Sequence, residues 1–289
     1  MTVLKRFALV PLLAATGLLN IIAQPAHSQA LAPYVLQLDG DRLEQQGVFL
    51  FHSAIEAYQR GAYTAEQAST QVRLASQIAP NNPQILASLG GLYLRQGEFE
   101  RALDVLSHAR SLAPDNPAIL FEIGTVYLRQ ENYRQAADAL EQGLDISPNV
   151  FEALFDLGNA YYQLDQYDEA IASYEKAIEV QDDLWFAVNN IGLVLYEQND
   201  REEAISYWEQ AVEMTNKTEA EPLLALAVAN YQAGEELVGI AQGVRALTLD
   251  TAYADLEFLR QNLWGDRLLE DTAEFLNLPR IQSTLAQIR

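Results

Sequence analysis

The chain has 289 residues, 49% of them apolar and 20% charged, with 40 acids against 18 bases for a net charge of −22. That much apolar material supports a continuous core and argues against disorder over the body of the chain. The acid excess repels phosphate backbones and anionic lipid, which disfavours nucleic acid and membrane surfaces as partners. The absence of cysteine removes disulfides and thiolate chemistry.

The chain opens with a targeting pattern. Lys5 and Arg6 precede a mostly apolar run from Phe7 to Ala23, and Ala26-His27-Ser28 offers small residues at −3 and −1 of a cut before Gln29. This is the three-part pattern of a secretory signal peptide, expected over residues 1–28. An uncleaved membrane anchor is the alternative. Pro11, Thr16, Gly17 and Asn20 interrupt a stretch that is short for a span of ~20 residues. Export to a periplasm or thylakoid lumen is therefore expected, with no membrane insertion after the signal is removed. Cleavage takes two bases and no acid, so the acid excess grows from 22 to 24.

Residues 29–46 read as a lead-in and 47–82 as a worn first repeat, with Ala68 and Ala75 in register but two extra residues near Gly61. From there the chain repeats itself. Gly90, Gly124, Gly158 and Gly192 lie 34 residues apart, as do Ala102, Ala136, Ala170 and Ala204. Leu86, Leu120, Leu154 and Val188 keep the same step, followed by Tyr93, Tyr127, Tyr161 and Leu195. Leu86, Leu89 and Tyr93 are spaced as one helical stripe, and Ala102, Leu106, Ala109 and Leu112 as a second.

Turns are expected between them at Gly97-Glu98, Glu131-Asn132, Asp165-Gln166 and Asn199-Asp200. Pro80, Pro114 and Pro148 end successive units, and Asn82-Pro83 and Asn116-Pro117 cap the next helices. A mid-helix glycine costs ~1 kcal/mol relative to alanine. Its recurrence predicts a close approach of another backbone, with Gly90 facing Ala102 or Ala109.

The unit Leu86-x-x-Leu89-Gly90-x-x-Tyr93…Ala102…Ala109…Pro114 resembles the tetratricopeptide repeat family. Four units, 83–116, 117–150, 151–184 and 185–218, carry the pattern; 220–253 is a fifth, degenerate copy after a one-residue insertion. The resemblance implies an all-α fold, a solenoid of antiparallel helix pairs wound as a right-handed superhelix. Residues 254–289 break the period and are expected to form a C-terminal helical cap over the last apolar face. Leu256, Leu259, Leu263 and Trp264 make one amphipathic stripe there, and Leu268, Leu269, Phe275 and Leu276 another. The run Glu257-Phe258-Leu259…Asn262-Leu263-Trp264…Leu268-Leu269…Asp271-Thr272 is also similar to the tails of tetratricopeptide proteins of photosynthetic bacteria.

Little in the chain points to catalysis, so no enzyme and no cofactor is expected. Of His27, His52 and His108, none pairs with another in a recognisable motif, and Gly90-Gly91 lies mid-helix rather than in a phosphate-binding loop. Adjacent carboxylates such as Asp182-Asp183 diverge by ~100° on a helix. The acidic surface nevertheless leaves an Mn²⁺ or Ca²⁺ carrier as the alternative reading.

The family resemblance implies a concave groove lined by first helices, receiving an extended peptide or a partner helix. Its lining positions here include Leu94, Arg95, Phe121, Thr125, Arg129, Phe155, Asn159, Tyr162, Asn189, Asn190 and Tyr196. Arg95 and Arg129 form a basic ladder suited to a carboxylate, and Phe155, Tyr162 and Tyr196 an aromatic patch. Asn159 and Asn190 occupy the asparagine positions of the family's carboxylate clamp, but Phe155, Glu221 and Ala225 replace its cations. That departure argues against binding of a chaperone tail. The expected function is a protein-binding scaffold or assembly factor, with photosynthetic or other membrane-complex assembly as the setting the tail implies.

Overall fold

The structure, a computed structural model, describes residues 39–288, so the signal segment and most of the lead-in lie outside the described residues. Its regular structure is helical throughout. Six antiparallel pairs follow one another: α1 (Gly40–Gln59) with α2 (Ala65–Ile78), α3 (Pro83–Arg95) with α4 (Phe99–Leu112), and α5 (Pro117–Arg129) with α6 (Tyr133–Ile146). Next come α7 (Phe151–Gln163) with α8 (Tyr167–Val180), α9 (Trp185–Glu197) with α10 (Arg201–Met214), and α11 (Ala220–Gln232) with α12 (Glu236–Leu249). A 3-10 turn at Thr251–Ala254 leads to α13 (Leu256–Gln261), α14 (Asp266–Leu276) and α15 (Pro279–Ile288).

Local chemistry sets the boundaries. Asn82 Oδ1 accepts from the Ile85 N–H at 3.1 Å and Asn116 Oδ1 from the Ala118 N–H at 3.1 Å, each just before a proline in the first turn. Asp39 caps α1 in the same way, accepting from Arg42 N–H. That cap starts α1 at Gly40, inside the stretch expected as a lead-in, and the helix runs unbroken through Gln46 and Gly47. In the tail, the stripe read through Leu263 and Trp264 is broken, because α13 ends at Gln261 and Leu263 turns left-handed at φ 67°.

The turn within each of the four central pairs, α3–α4 to α9–α10, places one residue in the left-handed region: Gly97 (φ 74°), Glu131 (φ 61°), Asp165 (φ 59°) and Asn199 (φ 68°). Only the first is free of the steric penalty, about 1–2 kcal/mol, that a Cβ brings there. Glu131→Gly is therefore expected to raise stability by about 0.5–1 kcal/mol, part of the relief being lost to greater freedom of the unfolded chain. Thermal denaturation checks this, and a lowered midpoint would show that the Glu131 side chain makes compensating contacts.

The recurring glycines do make room for a neighbour, but not for the one expected. A Cβ at Gly90 would overlap Leu106, at Gly124 Leu140, at Gly158 Tyr174 and at Gly192 Trp208. The expectation that Gly90 faces Ala102 or Ala109 is thus corrected. What fills the space is the large side chain one turn further along the second helix, and close backbone approach is secondary. All four partners are fully buried, and the Trp208 indole N–H donates to the Asn189 carbonyl at 3.1 Å.

The last pair, α11–α12, reverses this arrangement. Gly239 lies where the other units carry alanine, with the Ala227 carbonyl against it, and Gly243 stands in the register of Leu106, Leu140, Tyr174 and Trp208. The hole left at Gly243 is filled from outside the repeat. The Phe275 ring of α14, fully buried, sits where a Gly243 Cβ would point and meets Tyr231 edge-on at 5.6 Å. The tail is therefore built into the last pair. One core runs from Leu154 through α9 and α11 to Leu285 of α15.

Candidate partner-binding groove

First helices touch the first helices of the next pair from α3 to α5 and from α5 to α7, which places them on the inner side of the curve. Over α9 and α11 the inner side is closed. Ala187 through Tyr196 are all buried, as are Ala220 and Pro222 through Ala229, the pattern of helices enclosed on every face. The covering element is the tail, with α14 packed on α9 and α11.

Polar contacts anchor that cover. The Tyr196 hydroxyl donates to Asp271 of α14. The α14 N-terminus lacks a side-chain cap of its own, and Glu197 supplies one from α9: its carboxylate accepts from the Arg267 N–H at 3.2 Å and the Leu268 N–H at 3.1 Å. Gly265 permits this approach, since a Cβ there would overlap Glu197. Trp264 is buried and its indole N–H donates to Glu221 of α11 at 3.3 Å.

Two adjoining cavities remain between the first helices and the 260–263 turn of the tail. One, about 470 Å³, is lined by Thr125, Arg129, Phe155, Asp156, Asn190 and Glu221 among others; the second, about 440 Å³, includes Tyr162 and Glu197. Both share Glu131, Tyr133, Gln163, Arg260, Gln261 and Leu263, so they form one cleft running under the turn.

A polar strip crosses the floor of this cleft. Thr125 Oγ1 donates to Asp156 Oδ2 at 2.8 Å. Asn159 Oδ1 accepts from the Tyr174 hydroxyl at 2.8 Å and from Asn190 Nδ2 at 3.2 Å. Asn189 Nδ2 donates to Asn190 Oδ1 at 3.3 Å and to Glu221 Oε1 at 3.2 Å. Burial raises the carboxyl pKa values of Glu122 and Asp156, with Arg95 and Arg129 respectively pulling them back, and drives Glu221 from 4.5 up to about 7.

The expected lining residues divide into three groups. Thr125, Arg129, Phe155, Asn159 and Asn190 line the first cavity and Tyr162 the second. Leu94 is half-buried and Arg95 exposed, its guanidinium over the Tyr58 ring at 5.6 Å. Three expectations are corrected. Phe121 turns toward α6, where a Cβ on Gly143 would meet it. Asn189 and Tyr196, each 1% exposed, are closed off by the tail, so the aromatic patch loses a member. The basic ladder carries an acid within electrostatic reach of each rung and presents no net positive surface. Phe186, Glu221, Trp264 and the 260–263 turn were not anticipated as lining. In the sequence Glu221 stands out only as an acid at a cation position of the clamp.

Among the described residues no group of three or more His, Cys, Asp or Glu is arranged to hold a metal ion. No helix among them is long and apolar enough to cross a membrane. Tetratricopeptide repeat models match residues 81–149, 121–183 and 187–229, spanning the pairs α3–α4 through α9–α10 and into α11. The chain belongs to the tetratricopeptide repeat family.

Solved structures agree on the fold of this tetratricopeptide protein. PilF of Pseudomonas aeruginosa matches with a TM-score of 0.62 at 19% identity, over 78% of this chain and 98% of its own. MamA of Desulfovibrio magneticus matches at 0.54 and 21%, over 62% and 97%. YrrB, described as a TPR protein with an unusual peptide-binding site, matches at 0.53 and 19%, over 66% and 97%. No curated protein matches the sequence. At these identities the likeness concerns the fold alone.

Proposed function

We propose that this tetratricopeptide protein is a non-catalytic docking scaffold that holds a partner polypeptide in the open part of its concave groove. The observation that carries this reading is the uneven closure of the inner wall. The tail seals α9 and α11, while α3 keeps half-buried Leu94 with exposed Arg95, and α5 keeps half-buried Leu128 with exposed Arg129 lining the cleft. Such a wall offers apolar anchors within a polar rim, the anatomy of a protein interface. The peptide-binding site ascribed to YrrB supports the same use of the fold. Export, with assembly of a photosynthetic or other membrane complex as the setting, is proposed from the targeting pattern of residues 1–28 and the tail motif.

The test is site-specific photo-crosslinking in the native organism. A crosslinker at Leu128 or Gln163 is expected to capture one polypeptide, and one at Ser107 or Glu175 on the second helices none. Leu128→Arg should weaken capture at least ~10-fold if Leu128 is an interface anchor. Equal capture from both faces would refute groove docking.

A further inference from the structure

The cleft beneath the 260–263 turn has a chemical bias. Asp156 and Glu221 are largely buried on its floor, and neither belongs to an ion pair. The ion pairs among the described residues are Glu56–Arg60, Glu98–Arg101 and Arg260–Asp266, all toward solvent. Of the two arginines on the cleft wall, Arg260 is thus already engaged, and Arg129, exposed at the rim, acts on Asp156 at a distance without forming an ion pair with it.

The two floor carboxylates are held by neutral donors alone. Thr125, Asn189 and Trp264 all donate into the two carboxylates, using Oδ2 of Asp156 and Oε1 of Glu221. A carboxylate has two oxygens, each able to accept more than one bond, so these two cleft-lining groups retain acceptor capacity. Phe155 and Phe186 flank it, ring centroids 4.8 Å apart and edge to face, giving a π surface that favours a cation over an anion.

A second observation points to a polar occupant of the same cleft. Tyr162, 6% exposed, lines the adjoining cavity, and its hydroxyl is buried without a hydrogen-bond partner. An orphaned buried hydroxyl costs ~1–3 kcal/mol. A polypeptide backbone laid through the cleft brings donors and acceptors to relieve it.

We propose that the cleft receives an extended segment of a partner protein and anchors one lysine or arginine side chain between Asp156 and Glu221, against Phe155 and Phe186. This rests on the docking function proposed above and specifies the chemistry of the docked segment. It reverses the expectation of carboxylate recognition drawn from Arg95 and Arg129. The charge of the whole chain works in the same direction, since 40 acids against 18 bases steer a basic segment inward. The raised pKa of Glu221 is consistent with a carboxyl whose counter-charge comes with the ligand, because a neighbouring ammonium restores the ionised form.

The experiment uses degenerate hexapeptide libraries with one fixed central residue, lysine, arginine, norleucine or glutamate, and reads binding to the full chain by fluorescence anisotropy. The lysine and arginine libraries are expected to bind at least ~10-fold more tightly than the norleucine library. In D156N/E221Q, which preserves shape and internal hydrogen bonds, that preference should collapse. E235Q/E236Q removes the same charge from the exposed start of α12 and should leave it intact. Tightest binding of the glutamate library, or a lysine preference unchanged in D156N/E221Q, overturns the proposal. Equal binding of all libraries, with crosslinking from Leu128 retained, removes the cation subsite and leaves groove docking standing. Binding with no crosslink from Leu128 removes both.

Discussion

Phe275→Ala is expected to destabilise the protein by about 3–5 kcal/mol, the cost of deleting a buried aromatic ring whose cavity cannot collapse. The ring fills the opening left by Gly243 and stacks edge-on with Tyr231, so its loss opens a void shared by α11, α12 and α14. The same change loosens the cover on the groove, because α14 carries Asp271 to Tyr196 and offers its N-terminus to Glu197. Urea denaturation measures the loss, and protease sensitivity between Asp255 and Gly265 reports release of the cover. Phe275→Leu, which keeps most of the volume, should cost less. A cost below about 1 kcal/mol for the alanine variant would mean that the tail is an appendage and not part of the last pair.

Stability is expected to fall as pH rises from about 5 to 8, with Glu221 contributing about 2–3 kcal/mol of the change. The sign follows from the direction of the shift. Burial raises the folded-state pKa of this carboxyl from 4.5 to about 7, so the fold binds its proton more tightly than the unfolded chain does. Its stabilising contribution is full below about 4.5 and disappears as pH passes through about 7. Glu122, Asp156 and Glu197 shift in the same direction and add to the slope. Glu219 repels the ionised form of Glu221, while Trp264 and Asn189 hydrogen-bond it and limit the effect. Glu221→Gln should flatten the profile, measured by chemical denaturation at the two pH values and followed through indole fluorescence. An unchanged slope in the variant would place the pH dependence elsewhere.

The helix pairs are legible in the sequence because every unit must solve the same packing problem at the same register. Leu86, Ala102 and Pro114 return with a step of 34, and the caps at Asn82 and Asn116 fall where the chain shows them. The partners of the glycines are harder to read, because periodicity reveals where bulk is missing but not which neighbour enters. Leu106, Leu140, Tyr174 and Trp208 keep the step too, and their growing size is a signal that was available. Closure of the groove was hidden for a different reason. It depends on contacts more than 60 residues apart in sequence, Tyr196 to Asp271 and Glu197 to Leu268, that no period records. Gly243 is the one local hint, a glycine at a register that otherwise carries a large side chain.

The graded bulk along that register also gives the array a direction of unfolding. Leucine fills the α3–α4 and α5–α6 pairs, tyrosine the next and tryptophan the one after, and the largest continuous core lies from Leu154 onward. In a linear array the local opening free energy follows nearest-neighbour packing. Amide hydrogens of α1 to α4 should therefore exchange before those of α9 to α12, and the molecule should unzip from its amino-terminal end. The docking wall on α3 and α5 then belongs to the softer half, adaptable to an incoming chain, while the half that starts at α7 acts as the rigid abutment against which it is held.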